Sequence, residues 1–181
     1  GTAWRNRLYE TAWLPTYQSV LPVVSVGNLS AGGNAKTPLC GYLAQVLTER
    51  GLRPVVLSRG YGGGGKEPRL VRPDEDVRRA GDEPVMLAQS GLRVVVSPDR
   101  VAGARLIERD RLGDVIILDD GFQHRRLGRQ LDIVSVNIGS ARAVDDFLRG
   151  ELLPLGRFRE ARDCALRRAQ IVVLAQRRCA S

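Results

Sequence analysis

The chain has 181 residues, 43% of them hydrophobic and 27% charged, which is typical of one globular domain. Its net charge of +8 favours anionic partners such as nucleotides and acidic membrane surfaces, whereas the lack of RNP, zinc-finger and helix-turn-helix signatures disfavours nucleic acid. No apolar run reaches the ~18 residues of a transmembrane helix, and the three widely spaced cysteines indicate neither a disulfide framework nor a zinc site.

The first 20 residues are rich in aromatic side chains interleaved with arginine. These aromatic residues are Trp4, Tyr9, Trp13 and Tyr17. Aromatic and basic side chains together are typical of a segment that lies on a membrane interface. Residues 1–20 are therefore predicted to form an amphipathic, membrane-facing segment before the domain. The alternative is a helix that packs its aromatic side chains on the domain core.

Apolar segments alternate with helical patterns along the rest of the chain. The predicted strands are Val23–Val26, Pro54–Leu57, Leu92–Val96, Val115–Leu118, Ile133–Val136 and Ile171–Leu174. The predicted helices are Pro38–Arg50, Glu83–Ser90, Asp99–Arg109 and Arg162–Ala169. Because most strands are continuous Val/Ile runs, we expect them to be buried on both faces of a parallel sheet. The alternation predicts an α/β fold with helices on both faces and with ligands at the carboxyl ends of the strands.

The stretch 23–38 combines a buried strand, a glycine-containing loop, a Lys-Thr pair and the start of a helix. This is the layout of a phosphate-binding loop, in which backbone N–H groups surround the anion, the lysine reaches the terminal phosphates and the hydroxyl binds Mg²⁺. The residues predicted to bind the nucleotide are Ser30, Ala31, Gly32, Gly33, Asn34, Ala35, Lys36 and Thr37. The match to G-x-x-x-x-G-K-[ST] is imperfect, because Ser30 and Ala35 stand where the pattern has glycine. An ordinary strand-to-helix turn is the alternative.

Lys36 and Lys66 are the only lysines among the 28 basic residues. A lysine directly before a threonine is therefore rare by composition in this chain, which favours a functional role for Lys36. Lys66 ends a second glycine-rich stretch, 60–66, that matches G-x-x-x-x-G-K literally. Glu67 and Pro68 follow it, so this stretch lacks both a hydroxyl for Mg²⁺ and a helix on which a phosphate could sit. We interpret it as a flexible loop.

Two acidic sites follow predicted strands or precede predicted helices. Asp119 and Asp120 come directly after a buried strand, where aspartates of phosphate-loop enzymes hold magnesium; a simple strand-end turn is the alternative. Asp82 opens a predicted helix, and local sequence favours a helix cap over a carboxylate near a transferred phosphoryl group.

Arg157 and Arg159 lie in a later loop, and an arginine there would stabilise developing charge on a γ-phosphate or would simply be solvated.

Six short motifs occur together in one order. They occupy 23–38, 58–63, 81–84, 96–100, 119–124 and 152–160. Taken together they resemble the tetraacyldisaccharide 4'-kinase family, the lipid A pathway kinases of Gram-negative bacteria. The resemblance implies a P-loop NTPase-like kinase core that uses ATP and Mg²⁺. It further implies γ-phosphate transfer to the 4'-hydroxyl of a tetraacylated glucosamine disaccharide 1-phosphate, a lipid A precursor, by a peripheral protein on the cytoplasmic face of the inner membrane.

The resemblance also implies roles for individual residues. Lys36 would bind the β- and γ-phosphates, Asp82 would be the candidate base for the sugar hydroxyl, and Arg159 would contact the phosphates. The residues implied at the metal are Thr37, Glu83, Asp119 and Asp120. Those implied at the substrate or its phosphates are Tyr61, His124 and Glu160.

The family also has a second, C-terminal lobe that helps to enclose the nucleotide. Residues 21–181 are expected to correspond to the kinase core domain without that lobe. The residues leave two alternatives open. One is another P-loop ATPase or a GTPase, although the Asn-Lys-x-Asp signature of guanine specificity is lacking. The other is a truncated or inactive homologue that binds nucleotide without turnover.

Overall fold

The structure is a computed structural model that describes residues 14–29, 36–60, 65, 67–152, 158 and 160–176. Its strands are β1 (Val23–Asn28), β2 (Pro54–Ser58), β3 (Arg69–Leu70), β4 (Arg93–Val96), β5 (Val115–Asp119), β6 (Leu131–Asn137) and β7 (Ile171–Ala175). Its helices are α1 (Lys36–Glu49), α2 (Val77–Ala80), α3 (Asp82–Gln89), α4 (Arg100–Arg109), α5 (Ala141–Arg149) and α6 (Arg162–Arg168). None of these helices is both long enough and apolar enough to cross a membrane.

The described strands form one seven-stranded sheet in the order β3-β4-β2-β5-β1-β6-β7. Every neighbouring pair is parallel except β3 with β4, which is antiparallel. Strands β2 and β5 are buried along their whole length, as continuous apolar runs between two helix layers must be. The predicted, mostly parallel sheet is confirmed.

Alternate residues of the central strands support two separate core layers. On one face Val56 and Ile117 pack with Cys40 and Ala44 of α1, in a cluster that also includes residues of α3. On the other face Leu57 and Ile116 belong to a cluster with Ala104 and Ile107 of α4. Helices therefore cover both faces, as predicted.

All six predicted strands and all four predicted helices are present, with bounds within two residues of those expected. Three elements were missed, namely β3, α2 and α5. The first two have two and four residues, which is too short for a periodic signal. Helix α5 carries apolar residues at helical spacing, namely Val144, Phe147 and Leu148, although none of its residues is fully buried; Ser140 caps it by accepting a hydrogen bond from the Ala143 amide.

Tyr17 packs on the domain. Its hydroxyl donates a hydrogen bond of 2.6 Å to Glu108 of α4, and the guanidinium of Arg105 lies 4.8 Å from the centre of its ring. Its amide also donates to the carbonyl of Arg126 at 2.8 Å. This residue thus follows the alternative in which an aromatic side chain packs on the core, whereas residues 1–13 lie outside the described part of the chain.

Gly27 of β1 allows the loop after β5 to approach the sheet closely. A Cβ atom on Gly27 would lie 2.5 Å from Cβ and 3.0 Å from the amide nitrogen of Phe122. Phe122 is fully buried and packs with Leu29 and Val134. A side chain at position 27 would therefore displace the loop that follows Asp119 and Asp120.

Gly27→Ala is expected to lower the free energy of unfolding by about 1–3 kcal/mol, because the methyl group overpacks the contact with Phe122. Gly41→Ala is the matched control. Gly41 lies inside α1, and its Cβ would make an ordinary 3.6 Å contact with Leu87 of α3, so this substitution should instead stabilise the chain by about 0.5–1 kcal/mol. Urea unfolding of both variants measures the difference, and equal stabilities would contradict the packing argument.

Candidate phosphate-binding site

Three neighbouring parallel strands end in buried polar residues at one edge of the sheet. Asn28 ends β1, Ser58 ends β2 and Asp119 ends β5. Strand β5 lies between the other two, with Val26 of β1 in register with Asp119. The carboxyl ends of parallel strands are where α/β proteins bind ligands, so these side chains mark the candidate site.

Lys36 lies in the first turn of α1 and points back to this edge. Its Nζ donates to Asp120 Oδ1 at 2.7 Å and to Asn28 Oδ1 at 3.3 Å. The helix was predicted to begin at Pro38 but begins at Lys36, because the first helical amides need no partner within the helix and a proline is tolerated there. Asp120 adopts a left-handed backbone with φ of 50°, a conformation that aspartate tolerates better than most residues.

Thr37 and Glu83 join the two helices that border the site. The Thr37 hydroxyl donates to Glu83 Oε2 at 2.7 Å. Glu83 is the second residue of α3, which follows Gly81 at φ of 91°. That backbone conformation is open to glycine and strained for other residues, so Gly81 sets the direction in which α3 leaves α2.

The prediction that Asp82 caps the helix is wrong. Gly81 occupies the cap position without any side-chain hydrogen bond, and Asp82 is the first residue of α3. Gly81, with its positive φ, takes the cap position. The helix therefore starts at Asp82, one residue earlier than a helix capped by Asp82 would start. Asp82 is exposed, and its charge in the first turn is favourable to the helix dipole.

Asp119 is held in a fixed orientation below the site. Ser58 Oγ donates to its Oδ2 at 3.1 Å, and the Cys40 thiol donates to its Oδ1 at 3.8 Å. Burial raises the pKa of Asp119, and the charges of Asp120 and Glu83 raise it further. The Ser58 hydrogen bond and the Lys36 charge oppose this increase.

The site provides hard oxygen donors. They come from Thr37, Glu83, Asp119 and Asp120. Within the described part of the chain, no group of three or more His, Cys, Asp or Glu side chains is arranged to hold a metal ion by itself.

His124 and Glu160 lie in enclosed surroundings. Burial, and then the charge of Arg100, lowers the pKa of His124 to about 4, and its Nε2 has no hydrogen-bond partner among the described residues. Glu160 pairs with Arg168 at 2.9 Å and its side chain is only 4% exposed. Contact of either residue with a substrate stays a prediction.

Several predicted site residues lie outside the described part of the chain. They are Ser30, Ala31, Gly32, Gly33, Asn34, Ala35, Tyr61 and Arg159. The structure therefore brings together Lys36, Thr37, Glu83, Asp119 and Asp120, while the course of the predicted loop stays a prediction.

Sequence reasoning missed four buried residues of the site's surroundings: Asn28, Cys40, Ser58 and Arg100. The signal for Asn28 and Ser58 was available, because each is a polar residue at the end of an apolar strand, like Asp119. Arg100 is 4% exposed, and the charges of Asp119 and Asp120 act on it while burial, the largest effect, lowers its pKa. Arg100 ends the motif at 96–100, but no role was predicted for it from the sequence.

The fold and site together define a P-loop-type α/β protein. A lysine and a threonine begin the helix after a central strand, and two aspartates end the adjacent parallel strand. This arrangement is typical of P-loop proteins.

A family model for tetraacyldisaccharide-1-P 4'-kinase, LpxK, matches residues 1–181. The tetraacyldisaccharide 4'-kinase of Chlorobium chlorochromatii is 44% identical over 179 residues, which are 94% of this chain and 47% of that protein. The one from Aeromonas salmonicida is 43% identical over 158 residues, 86% of this chain and 46% of that protein. The chain therefore belongs to the tetraacyldisaccharide-1-P 4'-kinase family.

A solved structure agrees with this assignment. The chain resembles the crystal structure described as the "apo" form of LpxK from Aquifex aeolicus in complex with ATP, with a TM-score of 0.84 and 38% identity. The match covers 96% of this chain and 54% of that one. The predicted fold and family are confirmed, and the chain spans about half the length of the relatives it matches.

The single histidine makes the surroundings of His124 measurable. NMR titration should give a pKa of about 4 in the folded chain, against 6.5 when unfolded. Between these values the unfolded state binds a proton that the folded state does not, so stability is fully present above pH 6.5 and declines as the pH falls toward 4. His124→Gln should show a flatter dependence of unfolding free energy on pH in this window. A His124 pKa near 6.5 would contradict the burial argument.

Proposed function

We propose that the chain is the nucleotide-binding core of an ATP-dependent lipid kinase. It would transfer the γ-phosphate of ATP to the 4'-hydroxyl of a tetraacylated glucosamine disaccharide 1-phosphate, a lipid A precursor. The observation that carries the proposal is the Lys36–Asp120 contact beside the ends of β1 and β5, together with the Thr37–Glu83 contact between α1 and α3. The relatives' names supply the acceptor.

Lys36 is the proposed contact for the β- and γ-phosphates. Its side chain is 14% exposed and bridges Asn28 and Asp120, so its ammonium group is already directed to the edge where the phosphates would lie. A compact ammonium group acts as a point charge on phosphate. The first turn of α1 adds free backbone amides and the positive end of the helix dipole.

Mg²⁺ is the proposed metal, held by Thr37 and the carboxylates of Glu83, Asp119 and Asp120. Mg²⁺ keeps several waters and usually takes one or two carboxylates together with substrate phosphates. The oxygen donors of this site fit that coordination, and the lack of a complete ligand cage among the described residues is consistent with it. When bound, the ion would neutralise charge on the transferred phosphoryl group.

Asp82 is the proposed base for the sugar hydroxyl. It is exposed, and it directly precedes Glu83, which contacts Thr37. An accessible carboxylate beside the metal-binding edge is able to reach an acceptor that approaches from solvent. Arg159 is proposed to contact the phosphates, with Tyr61 and His124 near the substrate.

The acceptor would be reached at the cytoplasmic face of the inner membrane of a Gram-negative bacterium. The net charge of +8 favours an anionic lipid surface. Trp4, Tyr9 and Trp13 within residues 1–20 would contact that surface, because indole and phenol rings favour membrane interfaces. Tyr17 instead serves the domain through its bond to Glu108.

The direct test is transfer of labelled γ-phosphate from ATP–Mg²⁺ to the acylated disaccharide 1-phosphate in detergent micelles. Lys36→Ala should lower transfer about 100-fold or more, as is typical when a preorganised charge contact is lost. Asp82→Asn should abolish transfer but leave ATP–Mg²⁺ binding intact, because a base for the acceptor does not hold the nucleotide.

Lys66→Ala is the matched control, since Lys66 is the chain's other lysine and ends the literal but unsupported pattern. It should keep the transfer rate. Binding of ATP–Mg²⁺ without any transfer would favour a chain that binds nucleotide and needs further protein for turnover. Neither binding nor transfer would refute the proposed function for this chain.

The metal assignment is tested separately by Thr37→Val. Loss of the hydroxyl should lower the Mg²⁺-dependent affinity for ATP about tenfold or more, comparable to other losses at metal sites. Calorimetric titration of ATP at several Mg²⁺ concentrations measures this. Thr48→Val in the same helix removes a hydroxyl that donates to the Ala44 carbonyl at 2.8 Å, and it should have no effect. Equal losses in both variants would contradict a metal role for Thr37.

A further inference from the structure

Two arginines bind the backbone of the loop that follows Asp119 and Asp120. The carbonyl of Phe122 accepts a hydrogen bond from Arg129 Nη2 at 3.2 Å and another from Arg168 Nη2 at 3.1 Å. The two arginines come from different parts of the chain, before β6 and at the end of α6. We call loop 121–124 with these two side chains the arginine clamp.

Arg129 binds most of this loop. Its Nη1 donates to the His124 carbonyl at 2.6 Å and to the Gly121 carbonyl at 3.4 Å. Its Nε donates to Asp132 at 3.0 Å, and both side chains of this pair are 8% exposed. The Arg129 guanidinium therefore binds three loop carbonyls, and it is itself held by the buried carboxylate of Asp132.

Arg168 approaches the loop from α6. Its two terminal nitrogens donate to the two carboxylate oxygens of Glu160 at 2.9 Å and 3.1 Å. The guanidinium carbon also lies 4.0 Å from the centre of the Phe122 ring, which is a cation–π distance. Phe122 is thus held through both its carbonyl and its ring.

Each arginine of the clamp is paired with a carboxylate, Arg129 with Asp132 and Arg168 with Glu160. Two like charges converge on one carbonyl. Burial has the largest effect and lowers the pKa of Arg129, Asp132 raises this pKa, and the charge of Arg168 lowers it by a smaller amount. Buried ion pairs seldom add net stability over apolar packing, although removal of one partner is costly. The planar, multiply donating guanidinium suits the fixing of several acceptors at once.

We propose that Arg168 and Arg129 are positioning residues, which hold loop 121–124 and thereby direct Asp120 toward Lys36. Asp120 directly precedes the clamp and has a left-handed backbone, so its direction depends on how the next residues are held. Glu160 acts in turn through Arg168. The consequence for the metal site rests on the proposed function, whereas the consequence for loop order does not.

The test compares Arg168→Met with Arg167→Met. Both residues lie on α6, but Arg167 is exposed and its Nη2 donates to Cys164 Sγ at 3.6 Å. Hydrogen exchange should become at least severalfold faster at the amides of Gly121 and His124 in Arg168→Met alone. These amides donate to the carbonyls of Val26 and Gly121. In Arg168→Met the Mg²⁺-dependent affinity for ATP should also fall about tenfold, as it does when other residues that orient metal ligands are replaced.

Two further variants protect the test against simple unfolding. Glu160→Gln keeps Arg168 but weakens its anchor and should show a smaller change in the same direction. Arg168→Lys keeps the charge but loses the fork, so it should recover only part of the Mg²⁺ affinity. A partial recovery of this kind separates positioning from general stability.

The outcomes are distinguishable. Unchanged exchange at loop 121–124 in folded Arg168→Met would overturn the proposal, and so would exchange that rises equally across β1 and β5. Faster loop exchange with unaltered Mg²⁺ dependence would overturn the step from loop to metal site. If the wild-type chain binds no ATP–Mg²⁺, the proposed function fails, and the exchange measurement still decides whether the clamp orders the loop.

Discussion

The parallel pairing of β1 with β5 is the constraint on which the site depends. It places the end of one strand, with Asn28 and the helix that begins at Lys36, directly beside the end of the other, with Asp119 and Asp120. A parallel neighbour requires a long crossover connection, so this adjacency joins residues more than eighty positions apart. Gly27 completes it, because the loop after β5 contacts β1 where a side chain would otherwise stand.

Charged groups of both signs meet at the candidate site. Asp119 is buried against a thiol and a hydroxyl, and Lys36 and Arg100 supply positive charge near it. In the proposed function, the phosphate would contact these cations and its metal ion would contact these carboxylates. The raised pKa of Asp119 reflects the cost of holding this charge away from water before any ligand arrives.

Sequence patterns predicted the sheet well because buried parallel strands leave continuous apolar runs that few other structures produce. They also singled out Lys36, Thr37, Asp119 and Asp120, which the structure brings together at one edge of the sheet, while their roles stay predictions. They failed where tertiary geometry decides. Gly81, not Asp82, caps α3 because the chain must turn between two helices. Buried Arg100 and Arg168 could not be distinguished from surface arginines, because burial depends on which strands and helices meet.

This difficulty has a physical cause in the chemistry of the basic residues. Lys36 and Lys66 are the only lysines, so the lysine at the candidate phosphate site was conspicuous. Arginine has several tasks that leave no distinct pattern: Arg53 pairs with Asp114 at the surface, whereas Arg129 and Arg168 fix backbone carbonyls inside the domain. A guanidinium can satisfy a carboxylate and a carbonyl together, which an ammonium group on a flexible stem does less rigidly. The chain thus presents a point charge to the candidate phosphate site and uses planar, multiply donating cations to hold the loop beside it.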